Sequence, residues 1–308
     1  MTIDRRGFLL GSASALTAGS ISSALGQPSA PYAFQHGSFH VTVLSDGHFG
    51  LPAEIVAPDA SPAEWAEIER RLGGSAGIVR ANANIPLIRS GNDLILIDVG
   101  GGGKFQHTEG QLAHAVSAAG YDKGAITKVL LTHAHPDHLW GMLGPDGRPR
   151  FPNATYHLGA AEWDFWMNPN YASLMPDVLH DFARGSQRDL SAIRERIVMV
   201  KDGDEVAAGI HAIATPGHTP GHFSYALNGQ ETLVVTGDVV TNEVVSFEHP
   251  DWRFGNDTDK DAGSKTRHRF VDRAATDRFV LLGYHFTYPG LGRVEKGGAA
   301  FRYVPGLG

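Results

Sequence analysis

The chain has 308 residues, 42% of them apolar, enough for one large buried core or two small ones and too many for a disordered protein. Its 26 basic and 33 acidic side chains leave a formal charge of -7, and without a Lys/Arg run a nucleic-acid partner is disfavoured. Cysteine is absent, which excludes disulfides and thiolate zinc sites, so any metal must be held by nitrogen and oxygen.

The first segment, residues 1–26, runs from Asp4-Arg5-Arg6-Gly7-Phe8-Leu9-Leu10 through a weakly apolar Ala/Ser/Gly tract to Ala24-Leu25-Gly26. It resembles a twin-arginine export signal, which implies cleavage and a periplasmic or secreted product. The tract is too polar and short for a membrane span, so no stable membrane insertion is expected. Residues 27–308 read as a single domain.

Short apolar runs then alternate with helical segments, as in a layered α/β protein. His40 to Leu44 reads as a strand. Ser61 to Leu72 reads as a helix, with Ser61 and Glu64 at capping-box spacing, Pro62 at the first helical position and Gly73 as the stop. Leu94 to Ile97 is a strand that ends in Asp98-Val99 and a run of four glycines. Thr108 to Ala119 carries a helical apolar face closed by Gly120. The segment 168–188 lacks periodicity and is a candidate flap. Thr266 to Ala275 reads as the last helix.

The chemistry is concentrated in His133-Ala134-His135-Pro136-Asp137-His138, three imidazoles and a carboxylate on one short loop, for which packing offers no reason. Each candidate ligand follows an apolar run: Val129-Leu130-Leu131 precedes His133, Ile210 to Ala214 leads to His218, Leu233 to Thr236 to Asp238, and Phe279 to Leu282 to His285. That is the carboxyl edge of the strands, where α/β proteins place their sites. Neutral imidazoles and carboxylates suit divalent zinc, manganese, cobalt or iron(II). Asp98 is either a turn cap or the partner of a ligand imidazole. His222 reads as a hydrogen-bonded neighbour of the ligands, and His268 as an ordinary histidine. No Gly-x-Ser-x-Gly elbow supplies a serine nucleophile.

The run from Thr132 to His138, followed by His218, Asp238 and His285, resembles the hallmark of the metallo-β-lactamase fold superfamily. The similarity extends to its methyl parathion hydrolase-like and lactonase branch through Val43-Leu44-Ser45-Asp46-Gly47, Phe151-Pro152-Asn153-Ala154, Asp164-Phe165-Trp166, His218-Thr219-Pro220-Gly221-His222 and Tyr288-Pro289-Gly290. The resemblance implies a four-layer αββα sandwich. One metal would lie on His133, His135 and His218, the other on Asp137, His138 and His285, with Asp238 bridging and two zinc ions as the expected pair. It also implies Trp166 as a substrate contact. From the sequence itself, Trp163 and Phe165 lie beside Trp166 before the candidate flap and read either as core or, with Tyr171, Phe182 and Tyr284, as an aromatic wall for flat or acyl-chain ligands.

Two such cations lower the pKa of a shared water, and hydrolysis by attack of that hydroxide on carbonyl carbon or phosphorus follows. Asp137 is placed to return a proton to the leaving group, and Asp238 to hold the metals together. The expectation is a hydrolase of lactones or activated aryl esters with some phosphotriester activity, on small-molecule substrates and with homodimerisation possible. The alternatives are a dedicated acyl-homoserine lactonase and a catalytically inactive metal-binding protein. β-Lactamase activity is disfavoured by the carboxylate at Asp238, and ribonuclease activity by the acidic charge.

Overall fold

The computed structural model describes residues 29–106, 108–298 and 300–307; the segment read as an export signal lies outside them. Strands β1 (Tyr32–His36), β2 (Phe39–Pro52), β3 (Ile78–Ser90), β4 (Asp93–Ile97), β5 (Lys128–Leu130), β6 (Thr155–Gly159) and β7 (Ile197–Val200) form one sheet in that order. The second holds β8 (Glu205–Ala207), β9 (Ile210–Ala214), β10 (Phe223–Leu227), β11 (Leu233–Val235), β12 (Val280–Leu282), β13 (Leu291–Gly297) and β14 (Ala300–Pro305), ordered β14-β13-β12-β11-β10-β9-β8.

The period-2 alternation of strands builds the layers. In β4, Ile95 and Ile97 point between the sheets, where they meet Tyr225, Val235 and Leu282, while Leu94 and Leu96 pack outward under Leu112, Val116 and Leu190. On the far side, Val234 and Leu281 carry Phe270, Val271 and Ala274 of the helix Lys260–Thr276. The result is the expected αββα sandwich.

Local signals place most elements. The helix Pro62–Arg71 starts with the expected capping box: Ser61 N–H donates to Glu64 Oε2 (2.8 Å), and Glu64 N–H returns to Ser61 Oγ. The helix expected from Thr108 begins only at Leu112, running Leu112–Ala118. Asp46 marks that start: its buried carboxylate accepts from the backbone N–H of Gly101 (2.9 Å), Gly110 (3.0 Å) and Leu112 (2.7 Å), which ties the preceding loop down and satisfies the first helical N–H. Burial pushes Asp46 up to about 6 despite those bonds. The last helix instead starts early, because Asp259 caps Ala262 N–H (2.9 Å). The candidate flap is largely ordered helix: Tyr171–Leu174 is one short turn, and His180–Ile193 buries Phe182, Ala183 and Leu190 in the core.

Leu96 is fully buried between sheet and helices, so Leu96→Ala should cost about 2–5 kcal/mol. Urea unfolding measures this, and an unchanged midpoint would refute the layer assignment.

Candidate metal centre

Each sequence-expected ligand emerges just past a strand, His133 after β5, His218 after β9, Asp238 after β11 and His285 after β12. His133 follows β5 in the loop, and His135 has extended backbone. Pro136 then opens the single turn Pro136–Leu139, which swings Asp137 and His138 round to the same side. The turn fits only because residue 141 is glycine; a Cβ there would lie 1.9 Å from Val99 O. Asp98, with φ of 66°, closes the floor, and its strain is held by bonds from Thr132 N–H and Oγ1–H (both 2.8 Å).

The structure brings all seven residues together, each buried. His133, His135 and His218 form one trio, Asp137, His138 and His285 another, and His133, His138 and Asp238 a third between them, with the ligand atoms of each trio within 4.8 Å of one another. His135 Nδ1 lies 2.9 Å from His218 Nε2, His138 Nε2 lies 3.2 Å from Asp137 Oδ2, and His285 Nε2 lies 3.5 Å from the same oxygen. Asp238 touches both sides: Oδ2 is 3.2 Å from His218 Nε2 and 3.1 Å from His285 Nε2, and Oδ1 is 3.3 Å from His138 Nε2. Tetrahedral ligands at the usual Zn–N distance sit about 3.3 Å apart. Each outer trio draws two side chains from the loop of the first sheet and one from the second.

The partners of the outer ring nitrogens decide what faces inward. His138 Nδ1–H donates to Asp98 Oδ2 (2.8 Å), His218 Nδ1–H to Asp257 Oδ1 (3.0 Å) and His285 Nδ1–H to Asn82 O (2.9 Å). The Thr132 hydroxyl spends its proton on Asp98, so it accepts from His133 Nδ1–H (3.0 Å). Four rings thus turn a bare Nε2 lone pair toward two carboxylates. His133 Nε2, His138 Nε2 and Asp238 Oδ1 have no hydrogen-bond partner among the described residues. Buried acceptors gathered in this way call for cations, and the donor set fits a pair of divalent ions.

The charges respond accordingly. Burial and the neighbouring imidazoles hold His133 far below its ordinary value, and burial with His218 pulls His135 down to about 3. For His218, burial is outweighed by Asp238 and Asp257, which push it up to about 9. Burial likewise opposes the ionised form of Asp238, but His285 and His138 hold it well below the carboxylate range. Protons and cations therefore compete for the same lone pairs.

Asp98 proves to be an imidazole partner rather than a turn cap. His222 is indeed a supporting residue, with Nδ1 on Thr215 Oγ1 (2.8 Å) and Nε2 accepting from Asp238 N–H (2.8 Å). Trp166 is a correction: it is fully buried, edge-on to His135 at 5.6 Å, and its indole N–H is spent on Glu162 Oε1 (2.6 Å), so it presents no face to a substrate. Tyr284 is also no pocket wall; it stacks on His138 at 3.8 Å and donates its hydroxyl to Asp137 O. Phe49 instead packs on His285 (5.3 Å) and Phe182 on His135 (5.8 Å), and Phe105 joins them at 5.4 Å and 6.0 Å. Phe49 and Phe105 had no sequence signal, since their segments meet only in the fold. Glu162, which also accepts from Ala134 N–H (2.9 Å) and Gly221 N–H (3.1 Å), was missed for the same reason.

Comparisons with known proteins agree with this geometry. The profile of the metallo-beta-lactamase superfamily matches residues 79–285. An uncharacterized protein of Mycobacterium tuberculosis is 27% identical over 248 residues, 76% of this chain and 96% of its own. Among solved structures, AidC, a dizinc quorum-quenching lactonase, superposes with a TM-score of 0.84 at 27% identity, covering 90% of this chain and 97% of its own. Hydrolase AbOPH superposes with a TM-score of 0.84 at 29% identity, covering 91% and 98%.

Trp166→Phe removes one of the hydrogen bonds that the buried Glu162 carboxylate accepts, leaving those from Ala134 and Gly221, and opens a small cavity, so it should cost about 1–3 kcal/mol in urea unfolding. A change confined to KM, with stability unaltered, would restore Trp166 as a substrate contact.

Proposed function

Because this chain belongs to the metallo-beta-lactamase superfamily and gathers seven buried nitrogen and oxygen ligands, we propose that it is a dinuclear metal-dependent hydrolase of lactones or activated aryl esters, with phosphotriesters as secondary substrates. The observation that carries the reading is the clustering of His133, His138 and Asp238, whose ligand atoms lie within 4.8 Å of one another and of which His133 Nε2, His138 Nε2 and Asp238 Oδ1 make no hydrogen bond among the described residues. His133, His135 and His218 would hold one divalent cation and Asp137, His138 and His285 the other, with Asp238 between them and zinc the expected ion. Bound there, two such cations lower the pKa of water and polarise an ester or phosphoryl oxygen.

The protein's own residues do the rest. Asp98, Asp257, Asn82 and Thr132 set the imidazole tautomers, which keeps the inward lone pairs free. Phe49, Phe105 and Phe182 restrict water beside His135 and His285 and favour apolar acyl or aryl groups. Asp137 is assigned the return of a proton to the leaving oxygen, so Asp137→Asn should depress turnover most for poor leaving groups. Equal loss across a leaving-group series would remove that role.

Similarity to AidC favours a second reading, a dedicated acyl-homoserine lactonase. Elemental analysis is expected to find two divalent ions per chain, and chelation to abolish turnover of a panel of acyl lactones, aryl acetates and phosphotriesters. Turnover that survives complete stripping would sink the metal mechanism. Activity on lactones alone would select the second reading.

A further inference from the structure

Resting on the dinuclear reading, we propose that Arg267 is a positioning residue for the cation held by His133, His135 and His218, acting through Asp257, and that the cation held by Asp137, His138 and His285 does not depend on it. Arg267 projects from the helix Lys260–Thr276 and is almost fully buried, at 3% exposure. A guanidinium out of water needs an acceptor for each nitrogen. Nη2 donates to Asp257 Oδ2 (2.7 Å), Nη1 to Trp252 O (2.8 Å) and Nε to Val239 O (3.2 Å), next to Asp238.

Asp257 is thereby committed at both oxygens, Oδ2 to Arg267 and Oδ1 to His218 Nδ1–H at 3.0 Å. It cannot rotate without giving up one partner. The helix closes over it so tightly that a Cβ at Gly263 would come within 2.4 Å of Oδ2. The backbone adds two ties, Thr258 N–H to His218 O (2.9 Å) and Asp259 N–H to Gly217 O (3.0 Å).

The consequence is a choice of tautomer. An anionic oxygen fixed at Nδ1 keeps the ring proton there and leaves Nε2 as the donor to a cation. With the carboxylate free to turn, the proton can move to Nε2, and the trio loses one of its three ligands. The other trio has separate supports, Asp98 behind His138 and Asn82 O behind His285.

The test is stepwise zinc binding to the metal-stripped full chain, in competition with a chromophoric chelator. Wild-type protein should take up two zinc ions. In Arg267→Met, one step should weaken ten- to a hundredfold while the other stays within about twofold. Arg267→Lys should fall between, because an ammonium keeps the charge but cannot serve three acceptors in the guanidinium geometry. If the Met variant does not fold, Asp257→Asn should show the same selective loss, since its amide sets N–H against a donor on one side. In histidine-labelled protein, the Nδ1–H resonance of His218 should be lost from the variants while that of His138 remains.

Wild-type affinity at both steps in Arg267→Met would overturn the proposal. So would equal weakening of both steps together with lower thermal stability, the mark of a merely structural residue. Wild-type protein that fails to bind two zinc ions would take the dinuclear reading down as well, whereas a failure confined to the variants leaves that reading standing.

Discussion

Imidazoles and carboxylates buried away from bulk solvent each need a partner for their polar atoms, and the organisation of this protein follows from that demand. Five histidines and two aspartates meet where two apolar sheets close on one another. Their outer atoms are satisfied by Asp98, Thr132, Asn82 and Asp257, which leaves the inner ones to one another. Such an arrangement is costly as a bare cluster and becomes favourable when positive charge occupies it. The supporting residues are accordingly as buried as the ligands: Asp98, Glu162 and Asp257 are all carboxylates with little or no contact with solvent.

The backbone around the cluster is shaped by close approach. Gly141 lets the turn bearing Asp137 and His138 press against Val99, and Asp98 accepts a left-handed conformation at the end of β4. Asp46 stitches the glycine run to the start of the next helix with three backbone hydrogen bonds. Strain at Asp98 is thus borne by the rigid strands on either side, and the loop bearing His133, His135, Asp137 and His138 has little freedom to relax.

The site was legible in the sequence to the extent that its residues are local or follow strands. The six-residue loop announces itself, and His218, Asp238 and His285 could be found because each follows an apolar run. The capping box at Ser61 was readable for the same reason, being a signal contained in four residues. Asp257, Arg267, Glu162, Phe49 and Phe105 were not readable, because what makes them matter is contact across 28 to 236 positions of chain. Of these, Arg267 is the exception in span, lying ten residues from Asp257 on a helix whose polar first turns hide its periodicity. Trp166 misled in the opposite direction: a tryptophan near the site suggests a binding wall, yet its indole N–H had already been claimed by Glu162.

Because each outer trio takes two members from one sheet and one from the other, neither half of the sandwich encloses a coordination sphere alone. Slippage between the layers would therefore register chemically before it registered as unfolding. A heritable lesion deep in the interlayer packing, touching no ligand, could mimic the loss of a histidine, and evolutionary tolerance in that layer should be narrower than its plain hydrocarbon character suggests.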